Sequence, residues 1–329
     1  MPNQLIAIGF TALDRIAVAV VIGIAITGAW LLVRQQERFR VATGIARMLR
    51  LVILVLAITS VVILILRTAV MADVPPLEVW PYITRVLLHS DFGVLWIIRM
   101  LTLLAMIVIL IGLRQKPSTL RFTLIAGCGT LIALLISSSS HAAENGTITL
   151  ANAVNWLHIT AGCLWGGTVA AYVILVLPLL LRDPDVRPMI AATALRLSSL
   201  AGFALALVLI TGILNAVQHI PRLSDLWTSS YGLTLTVKVA IVTVMAGIGA
   251  LNRFFVVPAI QRWAQTSNTG QGNGANPAWR FYNLLRIDTF VFAMIIICAA
   301  VLGMQSPPYH GNSASRTFVP LTASTTMTG

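Results

Sequence analysis

Charge is what this chain has least of. Only 10% of its 329 residues are Asp, Glu, Lys or Arg, against about 25% in a soluble domain. Acidic residues are the scarcer sign, 10 against 22 basic ones, for a formal net charge of +12. That excess does not form a nucleic-acid patch, because the basic residues cluster in short loops between apolar runs. Cysteine is scarce too. Cys128, Cys163 and Cys298 each fall inside an apolar run, and an odd count at such depths excludes a disulfide framework. No phosphate-cradling glycine loop and no large polar segment is present, which excludes an ATP-driven pump as a single-chain function. The first apolar stretch, Leu5 to Val33, lacks a basic leader region and reads as a span rather than a cleavable signal peptide.

What is abundant is hydrocarbon. The chain is 58% hydrophobic, with a mean hydropathy of +0.90. A span needs about 20 apolar residues, since a helix rises about 1.5 Å per residue across about 30 Å of lipid. Eight such runs are found, at roughly 8–33, 49–70, 92–113, 121–139, 154–181, 196–217, 232–255 and 285–304. The expected fold is therefore all-α, a polytopic membrane bundle of eight transmembrane helices.

Orientation follows from the loops. Arg34, Arg38, Arg40, Arg47 and Arg50 occupy the first. Arg114, Lys116 and Arg121 occupy the third, Arg182, Arg187 and Arg196 the fifth, and Arg253, Arg262, Arg280 and Arg286 the seventh. All four basic loops share one side, which the positive-inside rule makes cytoplasmic, so both termini are expected in the periplasm. The seventh loop also holds "NTGQGNGANP", which reads as a flexible linker.

The halves echo one another. "SDFGVLWIIR" (90–99) opens the third span and "SSYGLTLTVK" (229–238) the seventh. "AITS" (57–60) and "LITG" (209–212) precede them, and "SSSSH" and "SPPYH" close the fourth and eighth spans. The same order in both halves predicts a four-plus-four parallel internal repeat. Its units are residues 1–150 and 151–310, with 311–329 as a periplasmic C-terminal tail.

All five histidines, His89, His141, His158, His219 and His310, fall at or near the outer surface in this topology. His141 ends the fourth span and His158 lies one to two turns into the fifth, where an imidazole without a partner is costly. A twelve-residue loop can make the two helices antiparallel neighbours. Imidazole suits copper and zinc, and outer-side Met71 and Met304 would favour Cu(I). His141 and His158 are the leading ligands, followed by His310, His219, His89, Met304 and Met71. A single outer haem is the competing use of two imidazoles, though no histidine lies in the inner half for a second one. Cys163 lies about 140° around the helix from His158 and cannot join it on one ion.

Two charges are expected inside the membrane. Arg99 and Lys238 sit at matching repeat positions about 10 Å below the outer boundary, where a charge costs at least about 2.5 kcal/mol. Asp14 is the acid at that depth, so it is expected to pair with one of them. Asp288, near Arg286 and Arg253 at the inner surface, is expected in a structural ion pair.

At these residues the chain resembles the copper resistance protein D (CopD) family. The match rests on His141, on "WLHITAGCLWGG" (156–167) with His158 and Trp165-Gly166-Gly167, on "TSSYGLTLTVK" (228–238), on Asn252-Arg253, and on the eight-span count. It covers nearly the whole chain and is densest from 137 to 253. The family often carries Glu near the inner end of its last span, where this chain has Asp288. The resemblance implies a bacterial inner-membrane protein whose copper ion is cargo, received from a separate periplasmic CopC-like donor because no such domain precedes the first span. The expected function is acceptance of copper at an outer histidine site and import to the cytoplasm, without enzymatic activity. A non-transporting copper-delivery or assembly factor is the alternative, and a single-haem redox protein a further one.

Overall fold

A computed structural model describes residues 2–32, 35–115, 118–140, 146–181, 187–265 and 277–308. Among them there is no strand. Eight helices are long and apolar enough to cross a membrane: Gln4–Leu31, Thr43–Ala72, Asp91–Leu113, Thr119–Ser138, Leu150–Leu180, Arg187–His219, Ser230–Gln265 and Pro277–Leu302. They are the eight expected spans, most of them extended by a turn or more. The exposed faces carry Leu51, Leu54, Leu101, Leu104, Ile213 and Phe290, the apolar surface that lipid requires. The chain is a multi-pass membrane protein.

The fifth span occupies the middle of the bundle. Its small residues allow this. A Cβ on Gly23 of the first span would collide with the Gly167 backbone, and a Cβ on Gly167 would collide with the Ala19 backbone. The first and fifth spans therefore meet backbone to backbone, which only glycine permits. Gly166 does the same on another side, where the Phe292 ring of the eighth span takes the place of its side chain. Around this axis pack Val18, Val21, Ile22, Trp165 and Tyr172, all buried.

Three spans are not uniform α-helices. Wide π turns interrupt the first at Thr27–Leu31, the fifth at Cys163–Gly167 and Tyr172–Val176, and the seventh at Asn252–Val256. Two short helices, Trp80–His89 and Asp225–Thr228, precede the third and seventh spans. The sequence pattern announced neither feature. The two S-x-x-G openings share one construction. Ser90 Oγ accepts from Gly93 N–H at 3.0 Å and donates to the Val86 carbonyl at 2.6 Å. Ser229 Oγ accepts from Gly232 N–H at 2.9 Å and donates to the Asp225 carbonyl at 2.7 Å. Each serine caps its span, satisfying an orphan helix donor. Each glycine lets the preceding short helix lie against the span, since a Cβ there would strike its backbone.

Candidate functional site

Polar residues in the half of the bundle that holds Asp14 and His158 form two clusters of like make-up. In the first, Asp14 of the first span is 3% exposed and Arg99 of the third 8%. Arg99 Nη2 forms an ion pair with Asp14 Oδ1, and Thr59 Oγ1 of the second span donates to the same oxygen at 2.6 Å. A buried charge is tolerable when paired and hydrogen-bonded in this way.

In the second cluster, His158 Nδ1 of the fifth span lies 3.1 Å from Thr211 Oγ1 of the sixth. Gly212 makes room for the ring, because a Cβ there would lie 3.2 Å from His158 Cε1. Lys238 of the seventh span is within electrostatic reach of His158, and also of Arg15. Arg15 Nη1 donates to the Ala299 carbonyl of the eighth span at 2.6 Å. The clusters thus read carboxylate, threonine and arginine in spans one to three, and imidazole, threonine and lysine in spans five to seven. Thr59 and Thr211 are the threonines of the matching "AITS" and "LITG" segments.

The hydrogen bonds assign the imidazole tautomer. Thr211 Oγ1 donates its one proton to the Leu207 carbonyl at 2.6 Å, so toward His158 it can only accept. Nδ1 is then the donor, with the Val208 carbonyl as a second nearby acceptor. In the uncharged ring the lone pair is left on Nε2, the atom that ligates metal when Nδ1–H is held by a neighbour.

A second set of hydrogen bonds ties the end of the fourth span to the start of the fifth. Asn155 Nδ2 donates to Ser137 Oγ at 2.9 Å and to Ser140 Oγ at 3.2 Å. Asn152 Nδ2 donates to Ser138 Oγ at 3.0 Å, and Ser137 Oγ donates to Asn152 Oδ1 at 2.6 Å. Asn155 is about one turn from His158, and Ser140 immediately precedes residue 141.

Of the other expected ligands, His141 and His310 lie outside the described residues. His219 Nδ1 donates to the Asn215 carbonyl of its own helix at 2.8 Å, and its ring stacks on Tyr231 with centroids 6.2 Å apart. It lies eight residues, about 12 Å, along the helix from the Thr211 that holds His158. His89 is exposed at the end of its short helix. Met304 is exposed beyond the eighth span. Met71, also exposed, lines an outer cavity of about 220 Å³ together with Arg67, Asp91 and Ser138, Ser139 and Ser140. Among the described residues no three His, Cys, Asp or Glu side chains converge as a metal cluster. The three cysteines are free thiols.

The ion pair expected for Asp288 is corrected. Among the described residues Asp288 makes none, and its Oδ1 has no hydrogen-bond partner. Arg286 is only two positions away, and residues at that spacing face different sides of a helix. It lies over the Tyr282 ring, 5.4 Å from the centroid. Arg253 donates instead to the Ser198 carbonyl at 3.0 Å and its hydroxyl at 3.3 Å. Reading the sequence also missed Thr211 and the Asn152–Asn155 tether. The repeated threonine was in view, but its use as an acceptor depends on which way the hydroxyl turns.

Comparison with known proteins bears on the whole chain. A family model described as "Copper resistance protein D-like, N-terminal domain" matches residues 1–151, and one described as "Copper resistance protein D" matches residues 191–302. The chain is 24% identical over 289 residues to "Copper resistance protein D" of Pseudomonas syringae pv. tomato, covering 87% of this chain and 91% of that protein. It is 28% identical over 233 residues to "Copper transport protein CutJ" of Bacillus subtilis (strain 168), covering 69% of this chain but 39% of the larger relative. His158 lies between the two matched segments.

Proposed function

Because the chain belongs to the copper resistance protein D family, we propose that it receives copper at its outer face through His158 and passes it toward the cytoplasm. Copper handling agrees with the names of both relatives. The import direction, the bacterial inner membrane and a periplasmic CopC-like donor belong to this reading, as does a carrier without enzymatic activity. The observation that carries the site is the bond from His158 Nδ1 to Thr211, which leaves Nε2 for the ion. His141 is the proposed second ligand. Its neighbour Ser140 is tied to Asn155, about one turn from His158. Met71 is proposed as the third, because its cavity also reaches Ser140.

The duplication is part of the same proposal. Asp14 precedes Gly23 by nine residues, and His158 precedes Gly167 by nine. Those glycines touch, and the serine caps and threonines correspond. This supports units of 1–150 and 151–310 with both termini outside, and a copper path beside their shared axis.

Copper uptake into sealed right-side-out vesicles tests the reading. His158→Ala and His141→Ala should each abolish saturable uptake and most bound copper while helix content stays unchanged. If both variants bind and transport as the parent does, the histidine site is wrong. Lys238 and Arg15 favour a second reading, since a cation crossing from His158 would pass fixed positive charge. An accessory protein that accepts copper without moving it would bind in the titration but show no uptake.

Thr211→Val keeps the shape and removes the acceptor. Loss of such an outer partner costs about 10–100-fold in metal affinity. The expected result is copper binding weakened about tenfold, read by competition with a chelator of known affinity. Unchanged affinity would show that the hydroxyl does not orient the ring.

A further inference from the structure

Spans five to eight line a cavity of about 180 Å³, which runs from Trp165 and Val169 near the middle of the fifth to Phe281 and Asp288 in the first half of the eighth. Its walls are mostly apolar, with Trp165, Phe254 and Phe281 among them. Two polar side chains, Asp288 and Asn252, line it although only 2% and 5% exposed. Asp288 Oδ1 and both polar atoms of Asn252 lack hydrogen-bond partners. Gly202 of the sixth span and Phe254 of the seventh, both exposed, also line it. Arg253 also borders the cavity, but its guanidinium is held by Ser198.

An acceptor and a donor–acceptor buried without partners are costly unless something supplies the missing bonds. Size and lining narrow the choice. A metal cation with hard-oxygen preference takes six or so oxygens, whereas the apolar walls offer few. A cavity of about 150 Å³ is enough for one benzene ring. Apolar pockets with a few convergent polar groups are the usual form of small-molecule sites. We propose that this cavity binds the head group of a membrane-soluble quinol. One ring hydroxyl donates to the Asp288 carboxylate, Asn252 Nδ2 donates to a ring oxygen, and the tail leaves between the sixth and seventh spans into lipid. His158 does not line this cavity, and the assignment does not rest on the copper reading.

The test uses the full chain in phospholipid nanodiscs, with a short-tailed quinol under reducing conditions and the matching quinone. At a pH alkaline enough to ionise Asp288, saturable quinol binding above the background of empty nanodiscs is expected, about tenfold tighter than the quinone, because a hydrogen bond to a charged acceptor is worth at least that factor. Asp288→Asn should remove most of that preference. Ala250→Phe, which fills the cavity from a lining position, should abolish saturable binding of both molecules, and it decides the matter if Asp288→Asn does not fold. No saturable binding, equal or reversed preference in the parent, or variants that both bind as the parent does would each overturn the assignment.

Discussion

Replacing Asp14 with alanine should destabilise the protein by about 3–5 kcal/mol, the cost of leaving one member of a buried ion pair alone. Arg99 would stay in the membrane without its carboxylate, and its Nε already lacks a partner. Thr59 would lose its acceptor as well. Thermal unfolding in nanodiscs measures the loss. Asp91→Ala, at an exposed acid beginning the third span, should change stability by less than about 0.5 kcal/mol, as surface substitutions do. The double variant Asp14→Ala, Arg99→Met should recover part of the loss, because no orphan charge remains. A single variant as stable as the parent would mean that Arg99 reaches water or lipid headgroups by another route.

Gly167→Leu should have the larger effect on assembly. Overpacking an ordinary core costs about 1–3 kcal/mol. Here the added atoms would meet the Ala19 backbone, which cannot turn aside as a side chain can. The first and fifth spans would have to separate, so folded protein should nearly vanish from the membrane. Gly247→Leu is the control, since a Cβ there meets nothing within 4 Å. Equal abundance of the two variants, read by a fluorescent reporter and by size-exclusion profile, would refute the close contact.

What could be read without coordinates was what depends on solvent. Eight spans follow from hydropathy, because lipid penalises every unsatisfied polar group. Scarcity of charge nominated Asp14 as the partner of Arg99 or Lys238, since no other acid lies clearly at their depth, and the choice of Arg99 came from the packing. The S-x-x-G openings were visible as a repeat, although their purpose as caps beside a short helix was not. What stayed hidden depends on local geometry. Asp288 and Arg286 are neighbours in sequence yet face apart. His219 is an outer histidine, but its imidazole is bonded to its own helix. The π turns have no residue signature comparable to proline or glycine in a tight turn.

The burial of the fifth span bears on how the protein is made. In its most apolar stretch 72% of residues are buried, against 39% or less in every other span. Protein rather than lipid is its final solvent there, which is why Thr168 and the Tyr172 hydroxyl are tolerable. During synthesis, however, the sixth to eighth spans that complete its wall do not yet exist. The first span does, and its Gly23 face matches Gly167. The nascent fifth helix therefore meets a dry docking surface from the already inserted half before it needs one from its own. The order of synthesis lets the fifth span pack against the first before the rest of its own half is made.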